Sequence, residues 1–254
     1  MLQIRIIPCL LLKGRGLVKT VRFMNPQYLG DPINAVKIFN DKKVDELIFL
    51  DILASREGSK PNLDLISDLA GECFMPFTYG GGVRDINTIE QLLKSGVEKV
   101  AINSFAVEDP TFIRTASRAF GSQSIIAAID VKKNPWGRYD VYAYGGTRKT
   151  PWDAVEFAML AEAIGAGEIF LNSIDRDGTM AGYDNELIQR VSAAVRIPVI
   201  ASGGAGRIED FGKAVQAGAS AVAAGSFFVY QDKNQSFLIN VPSREELEKV
   251  LRQR

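Results

Sequence analysis

The chain has no histidine and only two cysteines in 254 residues. Without histidine the commonest general base is missing, and with it histidine-based triads and most transition-metal sites. Proton transfer would fall to Asp, Glu, Lys, Tyr or Cys. Cys9 and Cys73 lie far apart with no metal-ligand spacing, so both are expected as buried small apolar side chains, and no metal or other cofactor is expected. Formal net charge is zero, with acidic and basic residues mixed along the sequence, which points away from nucleic acid and membrane surfaces. No run approaches the ~18 apolar residues of a membrane span, and the start Met1-Leu-Gln-Ile-Arg5 lacks the form of a signal peptide. A cytoplasmic protein is expected.

What is present is a unit written twice. Pro76-Phe-Thr-Tyr-Gly80-Gly81-Gly82 followed by Asn103-Ser104-Phe105 parallels Pro198-Val-Ile-Ala-Ser202-Gly203-Gly204 followed by Gly225-Ser226-Phe227. Pro76 to Pro198, Gly96 to Gly218 and Ser104 to Ser226 are each offset by 122 positions. Each copy is an apolar run ending in glycines, a helical pattern, then a second apolar run ending in a small hydroxyl residue. Glycines at a strand end let backbone N–H groups approach a ligand, and a helix N-terminus favours an anion. Each copy reads as a phosphate cup, and two cups suggest a ligand with a phosphate at each end. Tight turns with no ligand are the alternative.

An apolar content of 46% suits one domain with a full-sized core. Strand-length runs are expected at 4–11, 46–51, 76–79, 99–103, 124–130, 168–173, 198–202 and 221–224. Between them Asp31-Pro32, Asp109-Pro110 and Thr150-Pro151 each place a capping side chain before a helix-starting proline, and Ser243-Arg-Glu-Glu246 forms a capping box. Eight strands alternating with helices, without a dinucleotide fingerprint after the first, predict a single (β/α)8 barrel made of half-barrels 1–122 and 123–230, with an insertion and a helix in 231–254. In such a barrel the strand C-termini carry the active site. Two further departures are expected: a basic loop over 14–30 with Lys13, Arg15, Lys19 and Arg22, of lid length, and a hairpin around Tyr139–Tyr144.

Asp175-Arg176-Asp177-Gly178-Thr179 and Gly182-Tyr183-Asp184, with the repeat, resemble the cyclase subunit of imidazole glycerol phosphate synthase over nearly the whole chain, and Phe120-Gly-Ser-Gln123 and Ala166-Gly-Glu168-Ile favour the cyclase over its sister isomerase. The resemblance implies a glutaminase subunit as partner, ammonia passing along the barrel axis, and a bis-phosphorylated ribulosyl substrate. It implies two catalytic aspartates at the ends of the first and fifth strands. The second maps onto Asp130; the first maps onto Leu11, and the internal repeat pairs the same two positions. A lost acid or base typically costs ~10²–10⁴ in rate, unless Asp177, Asp51 or Lys19 stands in. Phosphate contacts carried over fall on Gly82, Asn103 and Ser104 in one half, and on Asp177, Gly178, Gly204, Gly225 and Ser226 in the other. Lys19 matches the family's lid lysine, although a lysine in a basic loop is often merely solvated.

Even spacing along a strand keeps side chains on one face, so Arg5 shares a face with Leu11, Glu46 with Leu50, Lys99 with Asn103 and Glu168 with Asn172. These four charged residues are expected in one ring at the barrel bottom. In the resembled family they form the ammonia gate, and Glu98 matches a glutaminase contact; an ordinary closing layer of paired charges is the alternative. Three functions remain. The gate-present, acid-absent combination favours a cyclase-like barrel, weak or idle as a cyclase, that docks a glutaminase and conducts ammonia, resembling members found with sugar amidotransferases of surface polysaccharide synthesis. The others are an active cyclase of histidine biosynthesis and, least favoured, an isomerase of phosphorylated sugars.

Overall fold

The computed structural model describes residues 4–230 and 238–251. Twelve strands follow in chain order: β1 (Arg5–Lys13), β2 (Gly16–Val21), β3 (Met24–Gly30), β4 (Leu47–Asp51), β5 (Phe77–Gly80), β6 (Lys99–Ile102), β7 (Ile125–Lys133), β8 (Tyr139–Ala143), β9 (Arg148–Asp153), β10 (Glu168–Ser173), β11 (Val199–Ser202) and β12 (Ala221–Ala224). Eight pair in parallel in the order β1, β4, β5, β6, β7, β10, β11, β12, and β12 pairs with β1 to close the barrel. Helices lie between consecutive barrel strands, so this is the single (β/α)8 barrel that the alternation predicts. β5 and β11, and β6 and β12, keep the repeat offset of 122 residues.

Two apolar shells hold the barrel. The outer one, between strands and helices, includes Phe39, Phe77, Phe157, Phe211 and Phe228, all essentially inaccessible. The inner one fills the barrel axis with Ile7, Cys9, Ile48, Ile126, Phe170 and Ile200, packed among alanines 101, 128, 221 and 223. Every strand of a closed barrel is buried on both faces, which is why the strands read as continuous apolar runs rather than alternating ones.

Several local expectations are corrected. The segment 14–30 is not a lid loop: β1 runs past Leu11 to Lys13, and β2 and β3 form a hairpin on its end, antiparallel to it. Its charged residues hid short strands whose Leu17 and Val18 are buried. Lys19 is likewise not solvated but buried. Thr150-Pro151 does not open a helix. Both lie in β9, which ends the sheet path, where proline's missing N–H leaves no ladder bond unmade. The helix Ala154–Ala163 starts instead from Asp153, in a capping box with Glu156. Asp109-Pro110 is shifted by one: Pro110 is the N-cap of Thr111–Phe120, while Asp109 accepts from the Thr111 amide at 3.0 Å. Asp31 and the Ser243–Glu246 box cap as expected. Cys9 is buried, but Cys73 is only half-buried.

Of the expected insertion, residues 231–237 lie outside the described residues. Its later part folds back, with the Leu238 and Asn240 amides donating to the carbonyls of Val229 and Phe228. No helix among the described residues is long and apolar enough to cross a membrane.

Candidate active site

Strand register sets the site. Asp130, Asn172 and Ser202 are consecutive partners across β7, β10 and β11, while Leu11, Leu50 and Gly80 are consecutive partners across β1, β4 and β5. β1 and β7 stand four strands apart around the eight, so Leu11 and Asp130 face each other across the axis. Both line one cavity at the strand C-termini, with about 1330 Å³ of empty space opening to solvent. One side of its floor is therefore polar and the other hydrocarbon.

Asp130 keeps some accessible surface but is closed in by protein. Burial pushes its pKa up to about 7, against the Asn172 amide, which donates to it at 3.3 Å, and with a further push from the charge of Asp177. A carboxyl poised near neutral pH is suited to acid-base work. Its raised pKa also has a cost. The group ionises more readily in the unfolded chain, so native stability is lost as pH rises from about 4 through 7. Asp130→Asn is expected to stabilise the fold by on the order of 2–4 kcal/mol at about pH 8, with the gain vanishing near pH 4. Thermal melts across that range check this; a gain that does not depend on pH would rule out ionisation as its source.

The three groups that could replace the missing acid are all engaged. Asp177 accepts from Lys19 Nζ and Thr20 Oγ1, each at 2.9 Å, and from the Phe23 amide at 3.3 Å. Lys19 and Asp177 are both buried, and their pairing seals the β2–β3 hairpin onto the loop after β10. Asp51 accepts from the Leu53 and Ala54 amides through Oδ1, and burial, the leading influence, leaves its pKa raised despite those bonds. Cys9, beside them, has its thiol pushed up to about 12 by burial, so it is no thiolate at neutral pH.

The two glycine cups open into the same cavity, bringing together Gly82, Asn103 and Ser104 with Asp177, Gly178, Gly204, Gly225 and Ser226. Gly82 and Gly204 have φ of 69° and 111°. A Cβ on Gly82 would stand 2.6 Å from the Ser59 carbonyl oxygen, and one on Gly204 would collide with the Gly182 carbonyl, so only glycine lets the backbone curl this tightly. Ser226 Oγ and Asn172 Oδ1 are buried without a hydrogen-bond partner.

At the opposite end of the barrel the four charged residues do form one ring. Arg5 donates to Glu46 and Glu168 at 2.7 Å each, and Lys99 lies 2.9 Å from Glu168 and 3.2 Å from Glu46. Thr78 Oγ1 adds a bond to Glu46 at 2.9 Å. Burial opposes the Arg5 charge, but Glu168 and Glu46 outweigh it and its pKa is raised. Glu98 is exposed just before Lys99.

The sequence placed Asn172 on an inward face without a role, and it did not assign Ser202, Thr20, Phe23, Arg56 or Tyr144, all of which line the cavity. For Ser202 a signal existed, since it follows Pro198 and Ile200 at even spacing on the inward face. Nothing local marked the others.

A closed barrel with a near-neutral carboxyl at its strand ends and apolar walls beneath it belongs to the class of (β/α)8 barrels, whose sites lie at the strand C-termini. Comparison with known proteins narrows this. The family model described as "Histidine biosynthesis protein" matches residues 5–234. A Pseudomonas aeruginosa protein provisionally named imidazole glycerol phosphate synthase subunit hisF2 is 51% identical over 249 residues, 98% of this chain and 99% of that one. A provisionally named HisF subunit of Leptospira borgpetersenii is 47% identical, covering 98% of each chain. Imidazole glycerol phosphate synthase subunit HisF of Alkaliphilus metalliredigens is 46% identical over 91% of this chain and 92% of its own. The chain belongs to the HisF-like family of imidazole glycerol phosphate synthase cyclase subunits.

Proposed function

We propose that this barrel is the ammonia-conducting subunit of a glutamine-dependent amidotransferase, paired with a glutaminase at the Arg5–Glu46–Lys99–Glu168 face and weak or idle as a cyclase. The observation that carries the reading is Leu11 opposite Asp130: a leucine can neither give nor accept a proton, and Asp177, Lys19 and Asp51 already have other partners. The paired charges of the ring at the barrel bottom support the conduit side of the reading. Between ring and cavity the side chains packed along the axis are apolar, so any path opened among them favours a neutral molecule such as ammonia and strongly disfavours an ion.

The ring opens the conduit on this reading, Glu98 contacts the glutaminase, and Asp130 with the two cups binds a phosphorylated small molecule. The ammonia acceptor is a polysaccharide sugar held by a sugar amidotransferase, a proposal that rests on the resemblance noted in the sequence. The sharing of 98% of the chain with relatives that are only provisionally named is in keeping with a divergent branch. An active cyclase of histidine biosynthesis is the second reading, favoured by Asp130's pKa of about 7.

The test is cyclisation of the bis-phosphorylated ribulosyl substrate with a glutaminase subunit and glutamine, comparing the protein with Leu11→Asp. Lys99 also gives a test of the conduit. Reversing its charge would leave one arginine among three carboxylates, so the near-isosteric Lys99→Met is the cleaner change. It is expected to alter the glutamine hydrolysed per ammonia delivered at least severalfold. Unchanged coupling would remove the gate argument.

A further inference from the structure

The two glycine cups share a backbone plan but not the same state, and the difference follows from their neighbours. In the N-terminal half, Ser104 Oγ is already used twice: it accepts from the Tyr144 amide at 2.9 Å and donates to Asn103 Oδ1 at 3.1 Å. The Gly82 amide donates to Ser55 Oγ at 3.3 Å. Tyr144, in the turn between β8 and β9, is itself fastened, with its hydroxyl donating to Glu108 at 2.7 Å and its ring under Arg148, which pairs with the same glutamate at 2.9 Å. Glu108 lines the cavity beside this cup and brings a negative charge toward any anion there.

In the C-terminal half, the counterpart Ser226 is 5% exposed, lines the cavity, and its Oγ has no hydrogen-bond partner. The Gly204 amide, counterpart of Gly82, donates to no acceptor among the described residues. A buried hydroxyl left unsatisfied is costly unless a ligand meets it. The buried Lys19 lies alongside, its stem beside Gly225, and its charge offsets that of Asp177, which lines the same cup. Arg56 and Arg84 do stand on the rim of the other cup, but both are exposed, where solvent and salt weaken their pull.

We infer that the cups are inequivalent: the C-terminal-half cup is the preformed anion site that takes a phosphate monoester, and the N-terminal-half cup accepts a second phosphate only when Ser104 gives up its bond to Asn103 and the Gly82 amide its bond to Ser55. The ligand is then anchored at the Ser226 end, and a molecule with a single phosphate suffices to occupy the barrel. This rests on the phosphate-binding reading above.

Titration of the full chain with inorganic phosphate, followed by calorimetry and thermal shift, tests it. One site is expected to fill first, with a second at least tenfold weaker. Ser226→Ala is expected to weaken the first site about tenfold, as fits a lost hydrogen bond to a charged group, without lowering the melting temperature of the free protein. Ser104→Ala is expected to change that affinity less than twofold. Two sites of equal affinity, or Ser104→Ala weakening binding as much as Ser226→Ala, overturns the inequivalence alone. No phosphate binding at either cup overturns the phosphate reading with it.

Discussion

Leu11→Asp is expected to raise cyclisation of the bis-phosphorylated ribulosyl substrate by about 10²–10⁴ over the unmodified protein, the range that a positioned acid or base supplies. That corresponds to roughly 3–5 kcal/mol of barrier. Leu11 lines the same cavity as Asp130, on the strand diametrically opposite, so the new carboxyl would stand where the repeat calls for one. The unmodified protein should follow a single ionisation near Asp130's value of about 7, and the variant a two-limbed profile reporting both carboxyls as a coupled pair. Leu11→Asn separates chemistry from packing, since it removes the same hydrocarbon without adding a titratable proton. Its activity should stay at the level of the leucine form. If leucine, asparagine and aspartate turn over the substrate alike, Leu11 is not what limits the reaction, and the active-cyclase reading replaces the idle one.

Glu46→Ala is expected to destabilise the fold by about 3–5 kcal/mol, because it empties a buried carboxylate site and leaves the part-buried Arg5 and Lys99 with only Glu168 between them. For a chain of this size that is a fall in melting temperature of roughly 6–20 °C. Replacing all four ring residues together, with Arg5→Met, Glu46→Leu, Lys99→Met and Glu168→Leu, should cost far less. Well-packed apolar groups often match a buried ion pair in stability. The pair of melts separates two reasons for keeping the ring. If the fourfold variant folds as stably as the parent and loses ammonia transfer, the charges serve transport. If it is as unstable as Glu46→Ala, the ring is a closing layer of the barrel and the conduit reading loses its physical ground.

Sequence alone determined the barrel, the repeat and both ends of the axis, because these depend on periodicities that the backbone imposes wherever it closes. An offset of 122 residues placed Gly82 against Gly204 and Ser104 against Ser226, and two-residue spacing put Arg5, Glu46, Lys99 and Glu168 on inward faces. It also exposed the mismatch of Leu11 with Asp130. Capping chemistry was less decisive: the sequence suggested a helix start at Thr150-Pro151, and the pairing of β9 with β8 moves that start to Asp153.

Tertiary structure decided what each side chain has to touch. Lys19 and Asp177 are 158 positions apart, and no local pattern says that they meet and neutralise each other. The near-neutral carboxyl of Asp130 comes from burial among strands that converge only when the barrel closes. Two serines at matching positions of the repeat end in different states, one held by Asn103 and Tyr144 and the other left open. The repeat specifies the backbone of both cups, whereas the neighbours that fill or free them differ between the halves: Asn103 and Tyr144 at one, Gly225 and Lys19 at the other.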